Sequence, residues 1–151
     1  MRYALDSSFF FSELVLSGEL YTTPTVVEEI SDVHSRCRLE ALLAGGLTVT
    51  APSGEGEKRV ATAATETGDI GRLSLADADL LALSLDLGAT VVSDDYAVQN
   101  VALSLGIEVR GILRPKARRR RWRFRCPGCN RRYPLAGTCP ACGSPLKRTL
   151  K

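Results

Sequence analysis

The chain has 151 residues, of which 44% are hydrophobic and 25% charged, and its formal net charge is +3. No stretch approaches the roughly 18 consecutive apolar residues of a membrane span, and no charged segment followed by an apolar one opens the chain as in a signal peptide. These features exclude a membrane-embedded or secreted protein. They predict a soluble, cytoplasmic protein without a membrane partner.

The charges separate at the boundary between Leu113 and Arg114. Residues 1–113 carry 17 acidic and 7 basic side chains, whereas residues 114–151 carry 13 basic and no acidic ones. Such asymmetry is typical of a nucleic-acid-binding arm. About 113 residues suit one domain, but about 38 residues rarely fold without a staple. We therefore predict a domain at 1–113, a basic linker at 114–125 and a small stapled module at 126–151.

Short apolar strands alternate with helical patterns along residues 1–113. A strand over 2–6 ends on Asp6 and precedes a helix over 8–17, and Thr23-Pro24 begins the next helix with a capping hydroxyl and a proline at its first position. Further strands are predicted at 47–50, 89–93 and 107–112, and further helices at 57–66, 74–87 and 96–105. This alternation predicts an α/β fold with three layers around a central parallel sheet. In such sheets the ligand site lies at the carboxyl ends of the strands.

The last module contains two Cys-x-x-Cys pairs, Cys126/Cys129 and Cys139/Cys142, in the spacing C-x2-C-x9-C-x2-C. Two thiolate pairs on tight turns can surround one structural Zn²⁺ tetrahedrally, which stabilises a segment that lacks its own core. Redox use of the pairs is the weakest alternative, because thioredoxin-like motifs are single and begin a helix inside a β/α unit. The sequence therefore predicts a zinc ribbon.

Several acidic residues fall where a parallel sheet would gather them. Asp6 ends the first strand, Asp94 and Asp95 follow a later one, and helical periodicity turns Glu29 and Asp77 towards the buried side. Each has a structural alternative, such as a capping box of Asp77 with Ser74 or a turn role for the aspartates. Together, however, carboxylates with few nearby bases require neutralisation, and oxygen ligands suit Mg²⁺ or Mn²⁺. An acidic metal site beside a basic arm indicates a metal-dependent nuclease.

Four phrases carry a family resemblance: Leu5-Asp6-Ser7-Ser8-Phe9, Thr23-Pro24-Thr25-Val26-Val27-Glu28-Glu29-Ile30, Leu75-Ala76-Asp77, and Ser93-Asp94-Asp95-Tyr96-Ala97-Val98-Gln99-Asn100. Their order resembles the motifs of PIN-domain ribonucleases. A PIN domain followed by a four-cysteine zinc ribbon is similar to the archaeal Nin-one-binding protein family. Those proteins are ribosome-assembly endonucleases that trim the 3′ end of small-subunit ribosomal RNA.

The resemblance implies a cleavage site that binds Mg²⁺ or Mn²⁺ through Asp6, Glu29, Asp77 and Asp95. Ser93 begins the family's Ser/Thr-x-Asp motif, and Asp94 remains an alternative metal ligand to Asp95. No small organic cofactor is expected, and the implied partner is precursor rRNA in a pre-ribosomal particle. The predicted RNA-binding residues are Arg118, Arg119, Arg120, Arg121, Trp122, Arg123, Phe124 and Arg125.

Three alternatives remain open at the level of sequence. A toxin-type PIN ribonuclease would share the first domain but ordinarily lacks a zinc ribbon. A non-catalytic RNA-binding assembly factor would use the acids structurally, and a transcription-type ribbon would bind duplex DNA. The charged composition of the linker also predicts a ribbon that swings freely.

Overall fold

The computed structural model describes residues 1–113 and 122–150. The first range contains five strands and six helices: β1 Arg2–Leu5, α1 Ser7–Phe10, β2 Glu19–Thr22, α2 Pro24–Glu29, α3 Val33–Ala44, β3 Thr48–Val49, α4 Gly54–Thr67, α5 Leu75–Leu87, β4 Thr90–Val92, α6 Tyr96–Ser104 and β5 Val109–Arg110. The second range contains three strands: β6 Trp122–Arg125, β7 Arg132–Tyr133 and β8 Lys147–Leu150.

The five strands of the first range form one parallel sheet in the order β3-β2-β1-β4-β5. Right-handed crossovers place α1 and α3 on one face and α4, α5 and α6 on the other, while α2 contacts both α1 and α5. Contacts of α1 with α3, and of α4 with α5 and α6, agree with that arrangement. The predicted α/β fold with a central parallel sheet is therefore confirmed. Because β1 and β4 are neighbours, the residues that follow them lie at one edge of the sheet.

The core lies between the sheet and its two helical layers. Leu5 of β1 and Val92 of β4 are fully buried, as is Leu81 of α5. Phe9 and Phe10 pack edge to face with their ring centroids 5.7 Å apart. Each such side chain contributes about 1.5–3 kcal/mol by leaving water. This apolar layer fixes the positions of the strand ends that carry the polar residues.

The segment after Thr23 differs from its prediction. The helical periodicity of Val26, Val33 and Cys37 predicts one helix with these residues on a buried stripe. In the structure α2 ends at Glu29, and Asp32 begins α3 by accepting a hydrogen bond from the Ser35 amide at 2.9 Å. The break shifts the helical phase, so Val33 is 78% exposed and Cys37 is exposed as well. The buried stripe was wrong beyond α2, and β2 was not predicted at all.

The last strands form a separate antiparallel sheet in the order β7-β6-β8. Trp122–Arg125, assigned above to the linker, is its central strand. The predicted RNA-binding residues Arg118, Arg119, Arg120 and Arg121 lie outside the described residues. Across both described ranges, no helix combines the length and the apolar character needed to cross a bilayer.

Candidate active site and metal centre

Asp6 lies at the carboxyl end of β1 and is only 6% exposed. Its Oδ1 accepts a hydrogen bond from the Ser7 amide at 2.6 Å, and its Oδ2 accepts from the hydroxyls of Ser8 at 2.9 Å and Ser93 at 2.6 Å. No basic side chain supplies any of these bonds. The sequence around Asp6 therefore holds a nearly buried carboxylate with neutral donors and leaves its charge uncompensated by a base.

Ser93 connects Asp6 to the end of β4. Its hydroxyl donates to Asp6 and accepts a hydrogen bond from the Asp95 amide at 3.0 Å. Asp95 then caps α6, since its Oδ1 accepts from the amides of Ala97 at 2.6 Å and Val98 at 3.2 Å. The Asp95 Oδ2 has no hydrogen-bond partner among the described residues. This oxygen is consequently available to a ligand.

Asp94, the neighbour of Asp95, has a different set of partners. Its Oδ1 accepts from the Ile112 amide at 2.8 Å, and its Oδ2 accepts from the Leu113 amide at 3.0 Å. Both oxygens thus fasten the segment after β5 to the end of β4. Both aspartates accept hydrogen bonds from backbone amides, but Asp94 does so through both of its oxygens and Asp95 through Oδ1 alone.

Asp77 serves in a capping box and also faces the other acids. Its Oδ2 accepts from the Ser74 amide at 2.8 Å, while the Ser74 hydroxyl accepts from the Asp77 amide at 3.1 Å. Burial raises the pKa of the Asp77 carboxyl, and the negative charges of Asp6 and Asp95 raise it further. The capping box of Asp77 with Ser74 is therefore confirmed, and a metal-binding role for Asp77 stays a prediction.

Glu29 is exposed at the end of α2, and its Oε1 accepts a 3.5 Å hydrogen bond from the Ser74 hydroxyl. It thus reaches the N-terminus of α5 without lining the same cleft as the aspartates. That cleft has a volume of about 790 Å³. Its walls include Asp6, Ser8, Arg72, Asp77, Asp94, Asp95 and Tyr96. The structure brings four predicted acids together and leaves Glu29 one residue away, behind Ser74.

Arg72 and Tyr96 were missed by the motif analysis. Both line the cleft, and both are exposed. A signal existed for Arg72, because residues 1–113 contain only seven bases and this one precedes Asp77 by five positions. Tyr96 directly follows the aspartate pair, where an exposed aromatic side chain at a strand end is a hint of ligand contact.

The donor chemistry of the cleft fits Mg²⁺ or Mn²⁺, which favour carboxylate oxygens. Among the described residues, only the four cysteines bring three or more ligand atoms within 4.8 Å of one another. The carboxylates are therefore more widely spaced than in a closed cage. A Mg²⁺ or Mn²⁺ ion held by these carboxylates therefore stays a prediction.

The thiols of Cys126, Cys129, Cys139 and Cys142 all lie within 4.8 Å of one another. The Cys126 and Cys142 sulfurs are 3.2 Å apart, and those of Cys129 and Cys139 are 3.6 Å apart. Tetrahedral zinc with Zn–S bonds of about 2.3 Å requires sulfurs about 3.8 Å apart, so the cluster could hold zinc after a small expansion. The predicted cysteine grouping is confirmed.

Local backbone geometry explains how the two pairs meet. Each second cysteine is followed by a residue with positive φ, Asn130 at 64° and Gly143 at 73°. A Cβ at Gly128 would lie 3.2 Å from the Cys142 sulfur, so glycine permits the close approach of the two turns. The Tyr133 hydroxyl lies 3.2 Å from the Cys139 sulfur, and this hydrogen bond lowers the pKa of the Cys139 thiol to about 6.

The described part of the predicted RNA-binding segment has protein contacts. The guanidinium of Arg148 lies over the Trp122 ring, 4.0 Å from its centroid, and Phe124 is buried. Arg125 donates through Nε to Asn130 at 2.8 Å, and Arg123 is half-buried. A packing role for the two aromatic residues is therefore present, whereas RNA contact at any of the four stays a prediction.

Comparison with known proteins agrees with this geometry. The family described as "PIN domain of ribonuclease" matches residues 4–87. "Endoribonuclease Nob1" of Pyrococcus abyssi is 45% identical over 97% of this chain and 92% of its own length. "Ribonuclease VapC1" of Thermoplasma acidophilum is 37% identical over 98% of this chain and 78% of its own length. "20S-pre-rRNA D-site endonuclease NOB1" of Saccharomyces cerevisiae is 38% identical over 52% of this chain and 17% of its own length.

The parallel sheet, the acidic cleft at its carboxyl edge and the matched family place the chain among the PIN-domain ribonucleases. Within that class the chain belongs to the Nob1 family of endoribonucleases, to which its likeness extends through the cysteine module. RNA is accordingly its class of substrate. The match to Ribonuclease VapC1 covers 98% of this chain and thus includes the cysteine module. The presence of that module therefore does not distinguish a Nob1 protein from a VapC protein, contrary to the argument made from the sequence.

Proposed function

We propose that this protein is a metal-dependent endoribonuclease that cuts single-stranded precursor rRNA at the 3′ end of small-subunit rRNA, in the cytoplasm and on the pre-ribosomal particle. One observation carries the catalytic part of the proposal. The nearly buried Asp6, linked through Ser93 to Asp95, lines the same cleft as Asp77. The rRNA part is supported by the yeast relative, whose name specifies a 20S-pre-rRNA D-site endonuclease.

In this proposal Asp6, Asp77 and Asp95 hold Mg²⁺ or Mn²⁺. The bound ion would lower the pKa of a coordinated water and neutralise charge that develops on the phosphate. Ser93 fixes the Asp6 carboxylate by donating to its Oδ2, and Asp94 braces the strand end through the Ile112 amide. Glu29 orients the N-terminus of α5 through Ser74 and stands as an outer member of the acidic set.

The ribbon supplies affinity for the RNA backbone. Residues 114–151 contain 13 bases and no acid, so they attract phosphates over a long range. The four cysteines would bind Zn²⁺ and give this charged segment a fixed shape. The acidic cleft alone would repel RNA, and the two regions together therefore form the complete enzyme in this proposal.

The test is cleavage of a labelled RNA that spans the mature 3′ end of small-subunit rRNA, with Mn²⁺ and with EDTA. Asp6→Asn should reduce the rate by at least about 100-fold, since removing one metal-binding charge weakens both ion binding and water activation. Asp79→Asn is the matched control, because the Asp79 side chain bonds Thr25 at 2.8 Å and does not line the cleft. Equal rates for wild type and Asp6→Asn would contradict the proposal.

A toxin-type ribonuclease is the second candidate function, and it is supported by the similarity to Ribonuclease VapC1. The same assay separates the two functions by the distribution of products. A single cut near the mature end supports rRNA processing, whereas scattered cuts in a shuffled RNA of equal composition support the toxin-type activity. Tight binding without metal-dependent cleavage would instead favour a non-catalytic assembly factor.

A further inference from the structure

Asp69 is a buried carboxylate outside the acidic cleft. It is 1% exposed, and its Oδ2 accepts a 2.6 Å hydrogen bond from the Asn100 side-chain amide of α6. Its Oδ1 pairs with the Arg148 guanidinium of β8 at 3.1 Å. Arg148 is itself largely covered, with 27% of its side chain exposed. An ion pair thus joins the nuclease domain to the zinc-binding module at a site that excludes most water.

The surroundings of this ion pair are closely packed. Arg148 stacks on the Trp122 ring, and a Cβ at Gly68, the residue before Asp69, would lie 2.9 Å from the Trp122 Cβ. The same Cβ would lie 3.4 Å from a ring carbon of Phe124. The zinc-binding module therefore rests against the C-terminus of α4 in this structure. This contact differs from the free swinging expected from the composition of the linker.

A short turn leads from the ion pair to the acidic cleft. The Asp69 carbonyl accepts hydrogen bonds from the amides of Arg72 at 2.8 Å and Leu73 at 3.3 Å. Arg72 is the only positively charged side chain among the described residues that line the cleft. No hydrogen bond or ion pair joins its guanidinium to another described residue. The cation is therefore available to an anionic ligand rather than neutralised by the neighbouring aspartates.

Arg72 and Arg148 also affect each other directly. Burial lowers the pKa of Arg148, and the positive charge of Arg72 lowers it further, whereas Asp69 acts in the opposite direction. Asp69 is thus connected to both arginines, through its carboxylate to the Arg148 guanidinium and through its carbonyl to the Arg72 amide. Loss of Arg148 would leave Asp69 with a single neutral partner, which favours a shift of the turn that carries Arg72.

We propose that Arg72 binds a phosphate of the RNA backbone at the cleft and that the Asp69–Arg148 ion pair positions Arg72, so that the docked zinc-binding module helps to build the substrate site. This inference rests on the proposed nuclease function. Arg72 contacts the substrate, whereas Asp69 and Arg148 are positioning residues that act through it. An arginine is suited to this contact because its planar guanidinium matches phosphate oxygens in a bidentate manner.

The test is a double-mutant cycle in the full-length, zinc-loaded protein, with a single-stranded RNA of defined sequence as the probe. Arg72→Ala and Arg148→Ala should each raise KM by about tenfold with a smaller change in kcat, the size of one charge-assisted hydrogen bond. Because Arg148 acts through Arg72, the double variant should be no worse than Arg72→Ala. Arg148→Lys should recover most of the lost affinity, since it retains a cation beside Asp69.

Arg59→Ala removes an equal charge from an exposed position of α4, outside both the cleft and the zinc-binding module, and should change KM by less than about twofold at physiological salt. Zinc content verifies that each variant retains its module, and Asp69→Asn repeats the cycle from the opposite partner if Arg148→Ala loses zinc. Additive effects of Arg72→Ala and Arg148→Ala would overturn the inference. A wild type that does not cut the RNA at all would instead refute the proposed function.

Discussion

The two regions of this molecule are stabilised in different ways. Residues 1–113 bury a continuous apolar core beneath a five-stranded parallel sheet. Residues 122–150 contribute few buried hydrophobic side chains, and the most buried of them include Phe124, Cys126 and Cys139. Hydrophobic burial grows with domain size, so a segment this short depends on its metal ligands instead.

The same contrast divides the chemistry between the regions. The large domain partly buries carboxylates beside one another, and this burial, with the charges of Asp6 and Asp95, raises the pKa of Asp77. The small module instead exposes bases such as Arg131 and Arg132, which are accessible to phosphate. Each region lacks what the other provides, and the Asp69–Arg148 ion pair joins them.

Removal of the metal should produce the largest difference in stability between the two regions. Cys126→Ser should abolish tight zinc binding and unfold residues 122–150, because apparent zinc-binding energies of about 10–16 kcal/mol contribute to folding of such modules. The α/β domain should remain folded. Zinc stoichiometry and amide NMR spectra measure both effects. Cys37→Ser is the control, since Cys37 is exposed and apart from the cluster; identical spectra for the two variants would contradict this division.

A cavity in the core should give the converse result. Phe10→Ala should lower the free energy of unfolding of the α/β domain by about 3–5 kcal/mol, because Phe10 is fully buried. Zinc content should not change. The neighbouring Phe11→Ala is the matched control, as Phe11 is 59% exposed and should cost less than about 1 kcal/mol. Chemical denaturation followed by circular dichroism distinguishes the two variants, and similar losses would argue against the assigned core.

A substitution at the junction should have an intermediate effect. Gly68→Ala places a Cβ 2.9 Å from Trp122 at a residue with φ of 80°, and we expect a loss of about 2–3 kcal/mol from strain and overpacking together. Gly88→Ala has a comparable φ of 60° but open space around it, so only the backbone cost of about 1 kcal/mol should remain.

Fluorescence of Trp122, the single tryptophan, reports whether the module leaves its docking position. Gly68→Ala should change its emission and Gly88→Ala should not. Equal stability and equal emission in the two variants would show that the contact at Gly68 is absent in solution.

The smallest expected effect concerns pH. The folded-state pKa of Asp77 is raised above its usual value of 3.8, so the protonated carboxyl favours the folded state. Its stabilising contribution is present below the unfolded pKa and is lost as pH rises through the folded pKa. Asp77→Asn should therefore gain free energy of unfolding relative to wild type at neutral pH, where Asp77 is charged. Near pH 3.8 this gain should be smaller. Thermal melts across this window measure the difference.

Cleavage should show the corresponding titration. In the proposed site metal binding requires the ionised Asp77, so activity should increase with pH through its raised pKa. Asp95→Asn should lower this pKa by removing a neighbouring negative charge, and an NMR titration profile of Asp77 in the metal-free protein measures the shift. Glu28→Gln, at an exposed position on α2, should leave the profile unchanged. A profile that Asp95→Asn does not shift would contradict the electrostatic coupling of the two aspartates.

Much of the fold was predictable because local signals and tertiary packing agree. Ser74 with Asp77 and the closing Gly88 bounded α5 correctly, and the apolar β-branched run at 90–92 formed a buried strand. The break between α2 and α3 was not predictable from periodicity, because apolar spacing continues across Ile30 although the Asp32 cap restarts the helix. A shift of phase by a few residues then turned Cys37 from the expected core to the surface.

In the site, too, groups close together in the sequence were predicted and contacts between distant residues were not. Cysteine spacing identified the thiol cluster, since two Cys-x-x-Cys turns are the usual ligand pattern of a structural zinc site. The sequence did not identify Asp69, Asn100 and Arg148 as partners, because nothing in a linear pattern relates residues that far apart. It also left open which of Asp94 and Asp95 binds metal. The amides of Ile112 and Leu113, in the segment after β5, bond only Asp94 of this pair, a contact that the sequence did not predict.

The central position of β1 has a consequence for the order in which the protein folds. Tyr3 in this strand pairs with Leu20 on one side and with Thr90 on the other. The first contact closes a short loop, whereas the second must wait for most of the domain and carries a larger entropic cost. We expect β1, β2 and β3 to assemble early and the arrival of β4 to limit the rate. The acids at the ends of β1 and β4 thus meet last, and catalytic competence emerges only at the end of folding.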